Sequence, residues 1–410
     1  MMVALGTAGD VFPMIGFGRA LQQRGHEVHM ASMPQYKGAV QSSGLVFQSL
    51  DGLQGVTDDP DFYHATRSMR VVAQRFLIPA VNPVYELISS LEPERWTILA
   101  NLYAYGARIA QEKHGFRLIT CVVTPFSLRS VQHMPVTPGI ACPQWAPSLL
   151  RRAFFALVSR LWDRELGPSL GKIRESAGLA GAKNLWYEWC LSPERVIALF
   201  PEWFAPRPSD WPAQLVYAGF TVFDQGGGQA VPAELLEPGD PLVIFAAGSA
   251  GPAAIHFFRT AVAVSSGRPW RAILLTGKST GGLDTPLPAN VHQYEYIPMS
   301  QLFPFASVVV HHGGLGTISL ALMAGVPQIA VPFGHDQYDN AARIEQLGVG
   351  RAVRQSSSNF ALRLRSAIEE MLCDQSWSAR CQKFKQKAAS SSSLSEACEQ
   401  IEADYSALHR

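Results

Sequence analysis

Val308-Val-Val-His-His-Gly-Gly-Leu-Gly-Thr-Ile-Ser319 runs from a β-branched stretch through a glycine-rich turn into a helical pattern. The spacing predicts a strand over 307–310, a turn at 311–316 and a helix over 317–323. A strand that feeds a helix in this way is one half of a βαβ unit, which implies a parallel sheet. The glycines let the backbone approach an anion, and the helix start offers unpaired N–H groups and the positive end of its dipole. His312, Gly313, Gly314, Gly316 and Thr317, with His311 beside them, are therefore expected to cradle a phosphate. A tight turn with no ligand is the simpler alternative. The pattern is neither GxGxxG nor GxxxxGK[ST], so it gives little support to a dinucleotide or Walker-type site. Adjacent histidines on an extended strand point to opposite faces, and no third ligand stands out, so no metal is expected.

Further α/β signals lie on both sides. Apolar runs at 242–247, 271–275 and 328–331 read as strands, the first ending in Gly248-Ser249. After the last comes Gly334-His-Asp-Gln-Tyr-Asp-Asn340, a set of short polar side chains where open α/β sheets bind ligands. Asp336 or Asp339 could equally cap a helix. At the other end of the chain, 2–5 reads as a strand, Gly6-Thr-Ala-Gly-Asp10 as a loop, 13–23 as a helix closed by Gly25, and 26–31 as a second strand. Asp10 falls at the corresponding edge of this half, with helix capping as its plainer role. Strands are expected at 96–100 and 117–123 with a helix at 106–114. The stretch 145–211 reads as mostly helical and holds Trp145, Trp162, Trp186, Trp189, Trp203 and Trp211. These tryptophans suit either core packing or an apolar pocket.

Glycines and prolines at 224–240 read as a linker, and the tail from 356 reads as helical. The expected organisation is a domain over 1–223, a linker over 224–240, a second domain over 241–375 and a helical tail over 376–410 packing back on the first domain. Over the 410 residues, Lys+Arg is 34 and Asp+Glu is 33, a net charge of +1 that argues against a general polyanion binder. Charged residues make up 16% and hydrophobic ones 47%, against roughly 25% charged in ordinary soluble domains. That composition excludes wholesale disorder and suggests a large core and one surface that meets something apolar. Six cysteines without a CxxC pair read as free thiols of a reducing cytoplasm. The N-terminus lacks a basic n-region, and glycines and a proline break the most apolar run, 242–258, so no spanning segment is expected. The expected location is cytoplasmic, with at most peripheral contact at the inner membrane face.

Taken together, these segments resemble the GT-B nucleotide-sugar glycosyltransferases of plant, antibiotic and sterol metabolism. Tyr296-Ile-Pro298, His311-His312-Gly-Gly and His335-Asp336-Gln337 look like that family's donor signature, and Gly6-Thr-Ala-Gly-Asp-Val-Phe-Pro13 looks like the opening of its bacterial branch. Residues 107–113, 199–206, 210–212, 324–328 and 335–340 are similar to the catalytic subunit of the bacterial rhamnosyltransferases of rhamnolipid synthesis.

The resemblance implies two Rossmann-like domains with parallel sheets facing across a cleft. It implies inverting, metal-independent transfer of a sugar, L-rhamnose from dTDP-L-rhamnose, to a hydroxyl of a hydrophobic acceptor such as a hydroxyalkanoyloxyalkanoic acid. The nucleotide sugar is a co-substrate, and no cofactor or nucleic-acid partner is implied. Position by position, His312 with Gly313, Gly314, Gly316 and Thr317 matches the diphosphate site, joined by Gly248 and Ser249. Tyr296 matches the base-stacking position and Ile297 the backbone that reads the pyrimidine. Asp336 and Gln337 match the pair on the sugar hydroxyls, and Asp10 the catalytic base. Two departures stand out: Asn101 where plant members orient their base with an aspartate, and Leu320 where a ribose-binding glutamate is usual. A UDP-sugar enzyme acting on a polyketide, sterol or phenol is the nearest alternative. A non-catalytic sugar-nucleotide-binding partner subunit is the alternative of another class.

Overall fold

The computed structural model describes residues 1–53, 55–139, 141–224, 231–237, 239–248, 254–277 and 286–408. The chain divides into two compact units. The first holds Met1–Pro135, Gly139–Phe223 and Ser392–Arg410, and the second holds Val136–Pro138 and Asp224–Ser391.

The first unit is built on β1 (Met2–Val3), β2 (His29–Ser32), β3 (Val46–Ser49), β4 (Thr97–Asn101), β5 (Arg117–Val122), β6 (Arg195–Ala198) and β7 (Leu215–Tyr217). They form one sheet in the order β3-β2-β1-β4-β5-β6-β7, and every pairing is parallel. The order reverses between β1 and β4, with Met2 opposite both Met30 and Leu99. At that switch point Asn101 is buried and clamps the end of β1. Its Oδ1 accepts from the Leu5 N–H at 3.3 Å and its Nδ2 donates to the Leu5 carbonyl at 2.6 Å. Asn101 is thus committed to the sheet.

The second unit carries β8 (Leu242–Ala246), β9 (Arg271–Leu275), β10 (Val291–Tyr294), β11 (Val308–His311), β12 (Gln328–Ala330) and β13 (Gly350–Ala352). Their order is β10-β9-β8-β11-β12-β13, again all parallel. Val308, Val309 and Val310 sit opposite Val243, Ile244 and Phe245 at the centre, and all six are fully buried. A parallel sheet covered on both faces requires such unbroken apolar strands. The order reverses between β8 and β11, so the loops leaving these two strands define this unit's ligand edge.

Two sequence expectations shift. The first helix spans Ala8–Gln23 rather than starting at 13, because Thr7 and Asp10 close a capping box and Pro13 is accommodated within the helix. The boundary expected at 376 lies at 392. Helix Ser376–Ala389 packs on helix Leu315–Ala324 of the second unit, buries Trp377 and Cys381, and sends Arg380 Nε to the Gly348 carbonyl at 2.7 Å. Only helix Ser393–Leu408 joins the first unit. It packs on helix Ala8–Gln23 and β7, and a two-pronged Arg24–Glu402 pair at 2.7 and 2.8 Å ties it there.

The tryptophan-rich stretch is mostly core. Trp162 of helix Ser148–Ser176 stacks on Trp186 with centroids 4.0 Å apart. The Arg174 guanidinium lies 5.0 Å from the Trp189 ring centre and pairs with Glu112 at 2.6 Å. Trp145, at 84% exposed, is the exception.

The close crossing of helices Ile78–Ser89 and Tyr105–His114 depends on Gly106, where an added Cβ would sit 2.2 Å from the Val81 carbonyl oxygen and 2.5 Å from Tyr85 N. Gly106→Ala is expected to lower stability by about 1–3 kcal/mol through overpacking. A denaturation midpoint equal to wild type would refute this crossing geometry.

Candidate functional site

In the second unit the residues singled out in the sequence gather around the loops leaving β8 and β11. The two histidines part ways, as alternation along a strand requires. His311 is 0% exposed. Its Nδ1 accepts the Gly313 N–H at 3.0 Å, and its Nε2 lies 2.9 Å from Gln328 Oε1. A ring that accepts at Nδ1 must donate from Nε2, so His311 is neutral with its proton on Nε2. Burial, and then neighbouring His312, pull its pKa down to about 3. The expectation that His311 touches the donor is therefore corrected: both its nitrogens are spent inside the fold, where they hold the turn.

His312 faces the other way and is partly exposed. Two glycines make room for its ring. A Cβ at Gly248 (φ +59°) would come within 2.6 Å of Cε1, and one at Gly314 within 2.4 Å of Nε2. Burial lowers its pKa to about 4, with the nearby Ala246 backbone opposing the shift, and its Nδ1 is a buried atom with no hydrogen-bond partner. Gly313 has φ +90°, and a Cβ there would lie 2.9 Å from the Gln337 carbonyl oxygen. Gly314 caps helix Leu315–Ala324, whose first turn includes Gly316 and Thr317. Leu320 is buried in the core. Ser249 lies outside the described residues.

Behind the turn sits a residue that sequence reasoning did not single out. Asn340 is 0% exposed. Its Nδ2 donates to the Gly313 carbonyl at 3.1 Å and to Asp336 Oδ2 at 2.8 Å, joining the glycine turn to the acidic end of helix Gln337–Gln346. The i, i+4 spacing of Asp336 and Asn340 was the available signal. Gln337 Oε1 accepts the Phe333 and Gly334 N–H groups at 2.7 and 3.1 Å, which leaves its amide N–H groups for any ligand. Tyr296 follows β10 and donates its hydroxyl to Asp224 Oδ1 at 2.8 Å, while Ile297 is buried. Among the described residues no three His, Cys, Asp or Glu side chains converge to hold a metal ion.

In the first unit, Asp10 occupies the third position of its helix. Its Oδ2 accepts from the Thr7 N–H at 2.8 Å and the Thr7 hydroxyl at 2.9 Å. Gly6, at φ +121°, is obligatory here, because a Cβ would lie 2.4 Å from that same oxygen. Tyr36 donates to the Gly6 carbonyl at 3.1 Å. Burial, with a smaller contribution from Asp10, raises the Tyr36 pKa to about 12, so it stays a neutral donor.

Comparison with known proteins converges on one class. Residues 1–131 match the glycosyltransferase family 28 N-terminal domain, and residues 272–403 match the erythromycin biosynthesis protein CIII-like C-terminal domain. The solved structure of the kitacinnamycin glycosyltransferase superposes with a TM-score of 0.75 at 22% identity, covering 98% of this chain and 97% of that one. The fold is GT-B, and the chain is a glycosyltransferase. The spinosyn rhamnosyltransferase SpnG aligns with a TM-score of 0.71 at 19% identity over 98% of this chain and 99% of its own. VinC in complex with dTDP aligns with a TM-score of 0.70 at 20% identity over 99% and 98%. In sequence, the O-mycaminosyltylonolide 6-deoxyallosyltransferase of Streptomyces fradiae is 26% identical over 98% of this chain and 96% of its own. A sterol 3-beta-glucosyltransferase of Arabidopsis thaliana is 27% identical over 91% of this chain, which spans 60% of that protein. Among the described residues of this glycosyltransferase, no helix is long and apolar enough to cross a membrane.

The two histidines make the fold acid-sensitive in a defined direction. In the folded chain both rings stay neutral, His311 to about pH 3 and His312 to about pH 4. The unfolded chain protonates them near the ordinary value of 6.5. Unfolding therefore takes up protons, and stability present above pH 6.5 is lost as pH falls toward 3. In urea unfolding followed across this window, His311→Gln is expected to reduce the pH slope by up to about 1.4 kcal/mol per pH unit. Parallel slopes for variant and wild type would overturn the assignment.

Proposed function

We propose that this glycosyltransferase moves L-rhamnose from dTDP-L-rhamnose to a hydroxyl of a hydrophobic acceptor of the hydroxyalkanoyloxyalkanoic acid type, inverting the anomeric carbon and using no metal. The observation that carries the donor half is the His312 ring, caged by Gly248 and Gly314 beside the start of helix Leu315–Ala324. There the leaving diphosphate meets the N–H groups of the helix start and a neutral imidazole donor, fixed before charge develops. Gly313, Gly316 and Thr317 complete the cradle, with Ser249 assigned to it by resemblance. Tyr296 and Ile297 take the base, and Asp336 with the Gln337 amide holds the sugar hydroxyls.

Asp10 is proposed as the general base that accepts the proton of the attacking hydroxyl, a role typically worth about 10²–10⁴-fold. Thr7 and Gly6 hold its carboxylate in one orientation. The likeness to a rhamnosyltransferase and to a dTDP complex supports the donor, and the sequence likeness to the rhamnolipid rhamnosyltransferases supports the acceptor. A second reading, transfer to a polyketide or sterol, is favoured by the macrolide and sterol relatives.

Two measurements decide. Asp10→Asn is expected to lower kcat by at least about 10²-fold while leaving the affinity for dTDP unchanged by calorimetry; near-wild-type turnover sinks the base assignment. Mass-spectrometric turnover would cross dTDP-L-rhamnose and UDP-glucose with a hydroxyalkanoyloxyalkanoic acid, a macrolide aglycone and a sterol. A mono-rhamnosylated lipid formed only from the dTDP donor is the expected product. Glucosylation, or transfer to the macrolide or sterol alone, replaces the substrate pair with the second reading.

A further inference from the structure

Large apolar side chains left in water are mostly scattered singly over this chain, as on any surface. One group is different. Trp145 is 84% exposed, Leu149 75%, Leu150 56% and Leu157 49%. They lie on the approach to helix Ser148–Ser176 and along its first three turns. The same helix buries Phe155, Trp162 and Leu166 in the first unit, so its inner face is already satisfied. At 100° per residue, Leu149, Leu150 and Leu157 share one outward arc with Arg152, Arg160 and Arg164, all of them exposed. Among the described residues none of these three guanidinium groups carries an ion pair. No aspartate or glutamate occurs from 141 to 162, whereas Arg151, Arg152 and Arg160 do.

Asp163 and Glu165 flank Arg164 in sequence, but Asp163 is taken by the Asn184 and Leu185 N–H groups, so an outward arc of leucines led by a tryptophan and interleaved with an excess of arginines has the pattern of an interfacial helix. The indole and leucines enter the boundary between headgroups and acyl chains, and the arginines lie along it with their charges on the phosphates. We propose that this face docks the chain on an anionic bilayer surface. The charge decides between candidate occupants. A second copy of the chain would place its own arginines against these, whereas anionic headgroups neutralise them. The proposal rests on no part of the donor or acceptor reading, and the helix lies on the surface without spanning the bilayer. It would bring the enzyme to where amphiphilic molecules partition.

The test uses the full chain and vesicle flotation. Wild type is expected to float with phosphatidylglycerol–phosphatidylethanolamine vesicles and to remain unbound with phosphatidylcholine alone. Trp145→Ser/Leu149→Ser/Leu150→Ser and Arg152→Gln/Arg160→Gln/Arg164→Gln are each expected to lower partitioning at least tenfold. All six residues are exposed, so circular dichroism and the dTDP affinity should be unchanged in both variants. Brominated lipid chains should quench a fluorescence component that is absent in Trp145→Phe. Equal flotation of the variants and wild type, or no flotation of wild type, overturns the proposal. So does light scattering that shows a dimer, dispersed by the serine variant, without vesicle binding. Loss of flotation with dTDP affinity retained separates this surface from the donor site.

Discussion

The second unit turns on a neutral imidazole sealed in its core. His311 receives the Gly313 N–H on one nitrogen and donates to Gln328 from the other. A protonated ring would have no lone pair for Gly313, so the turn holds its shape only while His311 is uncharged. From that turn the constraint spreads. The Gly313 carbonyl receives Asn340, Asn340 also holds Asp336, and Gln337 secures the Phe333 and Gly334 N–H groups. The loop after β11 and the start of helix Gln337–Gln346 are thereby one hydrogen-bonded frame. His312 and the helix start at Leu315 are presented from this frame, and a well-supported surrounding shell is what lets a site hold its geometry.

The first unit answers the same topological position with different chemistry. Asn101 bonds both backbone groups of Leu5 where the strand order reverses, and the chain then turns through Gly6 into a helix led by the Thr7–Asp10 capping box. Gly6 is fixed by Asp10 itself, since any side chain there would collide with the carboxylate. One unit offers a caged imidazole and bare N–H groups, the other a carboxylate locked in orientation. Both lie where a doubly wound sheet parts its loops.

Much of this was legible in the sequence because glycine and apolar runs report backbone constraints directly. The order strand, glycine turn, helix reads correctly, since β-branched runs and glycines leave few alternatives, although the strand expected at 307–310 runs over Val308–His311 and the helix expected from 317 starts at Leu315. The alternation rule also anticipated that His311 and His312 would face opposite ways. It could not tell which one faced inward, because that depends on Gln328, a partner from the next strand. The start of the first helix was misplaced because Pro13 resembles a first-turn proline, while the capping pair Thr7–Asp10 lies before it. The tail boundary was invisible for a similar reason. Nothing local in 376–389 announces that Arg380 and Gln382 will bond carbonyls of the second unit, at Gly348 and Gly325. Asn340 was in plain view within a polar cluster, but its importance lies in a carbonyl twenty-seven positions earlier.

The sequence around the second unit's site also carries no fixed positive charge: no Lys or Arg occurs from 279 to 342. What this segment itself offers an anion is dipoles, namely the first-turn N–H groups after Gly314 and the imidazole of His312. This choice has a physical logic. A buried cation would need its own counter-charge whenever the site was empty, and burial already drives His312 to its neutral form. Neutral donors held by glycines need no such partner, and they stay aligned without reorganising when charge arrives. The glycines of the turn serve this geometry: a Cβ at Gly313 would meet the Gln337 carbonyl oxygen, and one at Gly314 would meet the His312 ring, so their absence lets the turn close on helix Gln337–Gln346 and the imidazole sit beside the helix start.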